Sequence, residues 1–396
     1  MTVRTISDAQ RRHRVAHLHR LTSERRTDDI ARIGADLIGL HASDPATVFL
    51  SALVRMASPA TAKVHQALYE HRSVVRHHAM RRTIWVMPPD IARLAHGAAT
   101  AKIARAERKR TVAAMLDTTD IADPERWLDD ALDEILTLLG VDGPLSTRSI
   151  GQALPHLVIP LRMGANTKNP ATLNAHTKVL QGAGFDAHLV RVAPSGDWTS
   201  AEYAWMPTEQ WLDGPIAGLD ELEAAGPLLD QWLRRFGPAT ETDIRWWFGW
   251  TATLTRNALA SFDAAEVALE NGNTAWMHAD DTEDLDPPAP WVRLLPGLDP
   301  TVMGWKERDW YLDPSDVGDL FDRFGNAGPT IWADGRVVGA WVQRPDASIA
   351  FELTQPISKT HRDLLDAAIT ELEAAVGGTV VRPRFPAPAQ KRLFAS

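Results

Sequence analysis

The sequence predicts an α+β fold, mainly helical, made of tandem winged-helix modules and closed by a C-terminal segment that contains a β-hairpin. Three observations carry this prediction. Two stretches repeat the order helix, helix, helix, then a pair of short strands, which is the winged-helix pattern. Helix starts fall where capping residues precede apolar positions spaced three and four apart. Near the C-terminus, Asp334-Gly335 interrupts a run of alternating apolar residues, a strong hairpin signal.

The first module is assigned to residues 1–120. Residues 5–26 read as a helix rich in Arg and His, and residues 28–41 as the next, with Ile30, Ile33, Gly34, Leu37 and Ile38 on one face. Asp44-Pro45 breaks that helix and starts another over 45–56, proline being tolerated in a first turn. An amphipathic helix follows at 59–72. Arg81, Arg82 and Thr83 then precede a β-type run, Ile84 to Met87, stopped by Pro88-Pro89. Residues 89–115 are helical, with Lys102, Arg105, Arg108, Lys109 and Arg110 on a basic side.

The second module, 121–215, has an acidic helix at 125–139, a helix capped by Ser146 and a third from Asn169 to Gly184, with Asn166 and Lys168 just ahead of it. Strands at 188–192 and 202–206 flank Ser195-Gly196-Asp197, whose turn chemistry suits a wing tip. The third module, 216–285, repeats the order. It has a helix at 226–237, a start at Thr240-x-x-Asp243 of capping-box form, a helix from Leu254 to Ala260, and strands at 267–269 and 275–278. The linker DLDPPAP opens the last segment, 286–396, which holds the hairpin at 332–342 and a long helix at 359–376. The tail RPRFPAPAQKRLFAS is expected to pack as irregular coil.

A chain of 396 residues exceeds one small core, since single cores rarely pass roughly 250 residues. It has no cysteine, which excludes a disulfide framework and thiolate zinc sites. The opening MTVRTISDAQRRHRVAHLHRL lacks an apolar signal core, and no run of about 18 apolar residues occurs, so a cytoplasmic, nucleoid-associated protein without a membrane span is expected. The net charge of −9 is unevenly spread. Residues 1–110 hold 20 Lys+Arg against 9 Asp+Glu and nine of the fourteen histidines; the remainder holds 22 against 42. A basic module on an acidic body suggests a polyanion on one face, or pairing of the two halves within the chain.

The stretch GLHASDP at 39–45 places His41 and Ser43 on either side of one alanine. If the chain is extended there, both side chains point the same way. With Asp44 alongside, they suit acid–base chemistry, or else a hydrogen-bonded histidine and a plain N-cap at a helix junction. Tryptophans cluster at 246, 247, 250, 305, 310, 332 and 341, as stacking platforms or as core between modules. His278, Asp280 and Asp281 read as a solvated loop rather than a metal site. HExxH, P-loop, dinucleotide and GxSxG motifs are absent, and neither metal nor cofactor is expected.

Taken together, GLHASDP at 39–45, MRRTIWVMP at 80–88, GDWTSAEYAWMP at 196–207, WWFGWT at 246–251, RLLPGLDPTVMGWKERDWYL at 293–312 and GNAGPTIWADGRVVGAWVQR at 325–344 resemble the winged-helix DNA-binding proteins that include the bacterial alkylpurine DNA glycosylases of the AlkZ and YcaQ type, most of all their actinobacterial branch. The resemblance covers nearly the whole chain. It implies tandem winged helices around a concave DNA-binding channel and a monomer acting on duplex DNA with alkylated purines. The Gln-x-Gln motif of the glycosylases falls on His41-Ala42-Ser43, and both glutamines are replaced.

The resemblance further implies a hairpin, matched by 332–342, that enters the minor groove with Asp334, Gly335 and Arg336 at its tip. DNA contacts are expected of Arg81 and Arg82 in the basic half, and of Thr83, Asn166 and Lys168. Cationic alkylpurines are already good leaving groups, so catalysis reduces to stabilising a cationic sugar and placing water. His41 would accept a proton from water, Ser43 orient it and Asp44 stabilise the sugar. Such a base would lose activity as pH falls through the ordinary imidazole pKa. Two functions follow: a monofunctional DNA glycosylase, or a winged-helix DNA-binding protein without catalysis. Release of free base from alkylated DNA separates them.

Overall fold

The structure, a computed structural model, describes residues 4–164 and 170–395. It is a mixed α+β architecture, about half helical, with small sheets. Three successive stretches share one element order. In the first, helix Ile30–Asp36 leads to the short strand Leu40–His41, helix Pro45–Leu53, and helix Thr61–His65 prolonged by a π-turn at Gln66–Glu70. Antiparallel strands Val75–His78 and Ile84–Met87 close it, and the short strand lies on the far side of Ile84–Met87.

The second stretch repeats this with helix Pro124–Asp142, strand Leu145–Ser146, helices Thr147–Ala153 and Ala175–Phe185, and strands Leu189–Pro194 and Tyr203–Pro207. The short strand again pairs with the last one. In the third, helices Glu221–Phe236, Glu241–Phe248 and Ala252–Leu259 precede strands Ala264–Leu269 and Thr274–His278. A single bridge, Ala239 to Trp276, stands where the other two have a short strand. Val292–Leu295, Thr330–Ala333, Arg336–Gln343 and Ile349–Leu353 then form a four-stranded antiparallel sheet, followed by helix Lys359–Val376.

Local chemistry explains where the elements depart from the sequence reading. The helix expected over 5–26 begins only at Asp8, where Ser7 caps it by accepting from the Gln10 N–H, and it ends at Leu18. Thr5–Ile6 instead pairs in parallel with Ala264–Leu269. Residues 171–174, expected to be helical, form a strand paired with Pro160–Met163, and the helix starts at Ala175. The Pro-rich tail is irregular only over 382–387; Pro388–Ala395 is a helix with proline in its first turn. Gln390 anchors it, accepting from the Ala387 N–H and donating to the Pro329 carbonyl, and is fully buried. The wing-like turn after Leu189–Pro194 folds back, with Trp198 5.2 Å from Phe49 of the first stretch.

The stretches are fused rather than strung apart. One apolar core joins Trp85 of the first, Trp232 and Trp247 of the third, and Trp305 and Trp332 of the C-terminal segment. A second joins helix Pro45–Leu53 to the four-stranded sheet and helix Lys359–Val376. Between them lies an ion pair with both side chains fully buried. Arg55 donates through two nitrogens to Asp299 at 2.8 Å, and Ser51 donates to the same carboxylate at 2.7 Å. Several more cations of residues 1–110 are matched in less buried ion pairs: Arg14 with Asp281, Arg20 with Asp36, Arg26 with Glu371, Arg108 with Glu125 and Asp129. No helix of the described residues is long and apolar enough to cross a membrane.

Candidate active site

After helix Ile30–Asp36 the chain reverses through Ile38 at φ 53° and Gly39 at φ 126°. A positive φ at a β-branched residue is an outlier that costs roughly 1–3 kcal/mol. Gly39 is required twice over. Its φ favours glycine, and a Cβ there would lie 3.1 Å from Met87 Cε and 3.2 Å from Trp85 Cε3. This turn delivers Leu40–His41 to the edge of Ile84–Met87, with His41 opposite Trp85. The imidazole packs edge-on against the indole at 4.9 Å. Thr83 fixes that indole, accepting from Trp85 Nε1 at 2.8 Å while donating to the Met80 carbonyl.

His41 lines a cleft of about 920 Å³, shared with Arg81, Thr83, Trp246, Lys306, Arg308 and Phe321. Burial, then the nearby Arg81 charge, pushes its pKa down to about 3. The ring is therefore neutral near pH 7. Its Nδ1 accepts from the Ser43 N–H at 3.4 Å, which leaves the ring proton on Nε2. On this tautomer His41 offers the cleft a donor, not the acceptor expected from the sequence.

Ser43 and Asp44 do not line the cleft. Ser43 acts through its backbone: the N–H reaches His41 and the carbonyl accepts from Arg384 Nη1 at 3.2 Å. Asp44 caps helix Pro45–Leu53. One oxygen accepts from the Ala46 N–H and the other from the Arg384 N–H, so both are occupied, and burial holds its pKa above the usual value.

Arg81 sits in the left-handed region at φ 54° with its guanidinium 4.3 Å over the Trp246 ring. Its Nε is buried without a partner among the described residues. Arg82 turns the other way and pairs at 2.5 Å with Glu107, a buried carboxylate also met by Arg110 at 2.6 Å. Arg82 is thus held in an internal ion pair while its side chain remains half exposed. Arg82→Glu should lower the melting temperature, by about 1 kcal/mol of stability since other cations still serve Glu107, and leave duplex affinity nearly unchanged. A loss of affinity at unchanged melting temperature would restore the sequence reading. Asn166 and Lys168 lie outside the described residues.

The hairpin at 332–342 forms as expected, with Asp334 at φ 46° and Gly335 at φ 82° in its two-residue turn. Its tip does not project. Gly335 is buried, and a Cβ there would lie 2.6 Å from the Arg12 Cβ. Asp334 accepts from the Trp291 N–H at 2.9 Å and meets His361 Nε2 at 2.7 Å. Arg336 is exposed, but none of the three lines the cleft. The tip is packed against Arg12 at Gly335, with Asp334 and Arg336 exposed on either side of it.

What the sequence reading missed is the far wall, formed by residues 298–326. Asp243, buried in the capping box of helix Glu241–Phe248, accepts from the Lys306 and Glu307 N–H groups at 2.8 and 2.9 Å. One carboxylate thereby fixes both the helix that carries Trp246 and the loop that carries Lys306, Arg308 and Asp309. Arg308 lies 4.5 Å over Phe321 and 5.6 Å over Trp246, so guanidinium and aromatic planes alternate along the wall. At the lip, Asp322 accepts from the Phe324 and Asn326 N–H groups and holds Phe324 out at 75 % exposure, beside Arg323. The tryptophan clustering at 246–250 was the available signal, but sequence alone does not separate the cleft-facing Trp246 from the fully buried Trp247.

A search of curated proteins returns no match. Among solved structures, the fold is similar to that of the Streptomyces sahachiroi DNA glycosylase AlkZ, with a TM-score of 0.69 and 18 % identity, covering 95 % of this chain and 98 % of that one. At that identity the likeness concerns the fold. A family model described as DNA glycosylase AlkZ-like matches residues 35–375, which include the 39–45 motif and all of the cleft wall up to Asn326. The chain belongs to the AlkZ-like DNA glycosylase family.

Proposed function

We propose that this protein is a DNA glycosylase that hydrolyses the N-glycosidic bond of alkylated purines in duplex DNA. The observation that carries the reading is the convergence of His41, the residue at the motif position, with Arg81, Lys306, Arg308 and Arg323 on one open cleft. Four cations against Asp309 and Asp322 suit a phosphodiester backbone. Asp322 is occupied by backbone N–H groups, which leaves Asp309 as the carboxylate available to a cationic sugar. The three repeated stretches are read as winged helices, in modules bounded at 1–120, 121–215 and 216–285, with 286–396 as the closing segment.

In this reading an N-alkylated purine departs as a neutral base and needs little protonation. His41 touches the reacting nucleotide and donates from Nε2 to the leaving base, while the water that adds to the cationic sugar gives up its proton to Asp309 or to bulk solvent. Ser43 and Asp44 are positioning residues: the first orients the ring, the second fixes the strand-to-helix junction. Release of free base from alkylated duplex DNA under single-turnover conditions tests the proposal. Duplex affinity should also fall with salt at a log–log slope of about −3.6 if the four cleft cations each neutralise a phosphate. A flat salt dependence with no base release would sink it. The second reading, DNA binding without catalysis, is favoured by the loss of both motif glutamines; it predicts the salt slope without the base.

Phe324 belongs to the same reading, since apolar wedges inserted between base steps prise a duplex open. Phe324→Ala should weaken duplex binding by about 1–3 kcal/mol and leave the melting temperature unchanged. Equal affinity of variant and wild type would assign Phe324 no DNA role.

A further inference from the structure

A second group of unsatisfied cations lies away from the cleft. Arg76, on strand Val75–His78, is 3 % exposed. The sheet register pairs Arg76 with Val86 and Val86 with Leu40, whereas His77, Trp85 and His41 form the adjacent row. Neighbouring rows project to opposite faces, so Arg76 points away from the His41 side. Its Nη2 donates to Tyr69 Oη at 3.4 Å, while Nε and Nη1 are buried with no partner among the described residues. The guanidinium lies 4.3 Å over the Tyr203 ring, and against the cost of burial Tyr203 and Tyr69 hold its pKa above the ordinary value, so these two hydroxyls are the groups that serve it within the chain.

Arg191, from the second stretch, stacks 4.9 Å over Trp205 and adds another buried Nε without a partner. Burial first, then the positive charges of Arg76 and Arg384, pushes its pKa down to about 10. Arg384 is exposed at the mouth of the group, where it holds the Ser43 carbonyl. The carboxylate facing this group is Asp44, and both its oxygens are taken by backbone N–H groups. No ion pair involves Arg76, Arg191 or Arg384 among the described residues.

Buried guanidinium N–H groups left without an acceptor are unfavourable, and the facing carboxylate, Asp44, accepts from backbone N–H groups instead of from Arg76 or Arg191. Here several unpaired donors from two stretches of the chain converge beside an exposed arginine, and guanidinium forks match phosphate oxygens geometrically. We propose that Arg76, Arg191 and Tyr203, with Arg384 at the mouth, form a phosphate-binding site at the junction of the first two stretches. It takes either inorganic phosphate or a backbone phosphate of DNA. Only the second source rests on the glycosylase reading.

Titration of the full chain with inorganic phosphate, at constant ionic strength set by chloride, tests the site. Wild type should bind saturably and melt at a higher temperature as phosphate rises. Arg191→Met should bind at least ten-fold more weakly, and Tyr203→Phe should weaken binding while keeping the ring stack. These two variants keep the test open if Arg76→Met does not fold. An equal phosphate response from wild type and Arg191→Met, or none from wild type, would overturn the site. Duplexes carrying one methylphosphonate at successive positions identify the source. One sensitive position in wild type that is lost in Arg191→Met assigns a DNA phosphate; no sensitive position, with phosphate binding intact, assigns the free anion. Phosphate binding by a protein that neither binds nor cleaves alkylated duplex would leave this site standing and remove the glycosylase reading.

Discussion

Replacing His41 by alanine should reduce excision of an alkylated purine about 10²–10³-fold, the usual cost of removing a positioned donor at a reacting centre. Duplex affinity should stay within a few-fold of wild type, because the cleft cations that meet the backbone remain. The position of the ring sets this effect: it lines the cleft, is held edge-on by Trp85, and has its Nδ1 engaged by the Ser43 N–H. A histidine kept only for packing would behave differently. Its loss would lower the melting temperature and leave the chemical step of the surviving folded fraction unchanged.

The pH profile sharpens this test. An imidazole with an ordinary pKa would cost half its activity near pH 6.5, whereas burial holds the His41 pKa at about 3. Excision should therefore be flat from pH 8 down to about pH 6. A fall centred near 6.5 would mean that the ring is solvated and works as a base. His41→Gln restores half of the family motif, and Gln at both 41 and 43 restores all of it. Because Ser43 contributes through its backbone, the second replacement should add little to the first.

Much of the architecture was legible because local chemistry and tertiary context agree. Ser146 and Thr240 cap the helices they were expected to cap, and Asp334-Gly335 makes its turn. Helix 359–376 has the bounds read from its periodicity. The failures share a cause: each depends on a partner distant in sequence. Thr5–Ile6 is a strand only because Ala264–Leu269 lies beside it, and the tail is helical because Gln390 reaches Pro329.

The site was half legible. His41, expected to be catalytic, and Arg81 and Thr83, expected to meet DNA, share one cleft, while Lys306, Arg308 and Arg323 lay in a stretch valued for its tryptophans. Asp243 was read as a helix cap and is one, yet its second task, holding the Lys306 loop, has no sequence signature. The basic surplus of residues 1–110 could not be apportioned from sequence, because many of its cations are matched by carboxylates distant in the chain and several of its histidines are buried.

Those histidines set the largest expected effect, an acid-driven loss of the fold. His19, His41, His77, His78 and His96 are all buried. Desolvation is the leading cause of depression in each, to about 3 for His19, His41 and His78, to about 4 for His96, and well below the ordinary value for His77. In the unfolded chain each takes up a proton near pH 6.5. Between that pH and about 4, the folded state binds fewer protons than the unfolded one, so stability is complete above 6.5 and declines as pH falls. Each histidine contributes up to about 1.4 kcal/mol per pH unit, so the four held at about 3 to 4 together contribute about 6 kcal/mol by pH 5.5, and His77 acts in the same direction. That is comparable with the whole stability of an ordinary domain, about 5–15 kcal/mol. Thermal melting followed by circular dichroism should therefore show a melting temperature that holds from pH 8 to 7, drops steeply below 6.5, and gives way to unfolding near pH 5. His78→Phe, which removes one titrating group while keeping a ring against Phe185, should make the descent shallower. A melting temperature constant from pH 7.5 to 5.5 would mean that these imidazoles are solvated or already charged in the folded protein. The neutral His41 on which the catalytic reading depends would fall with them.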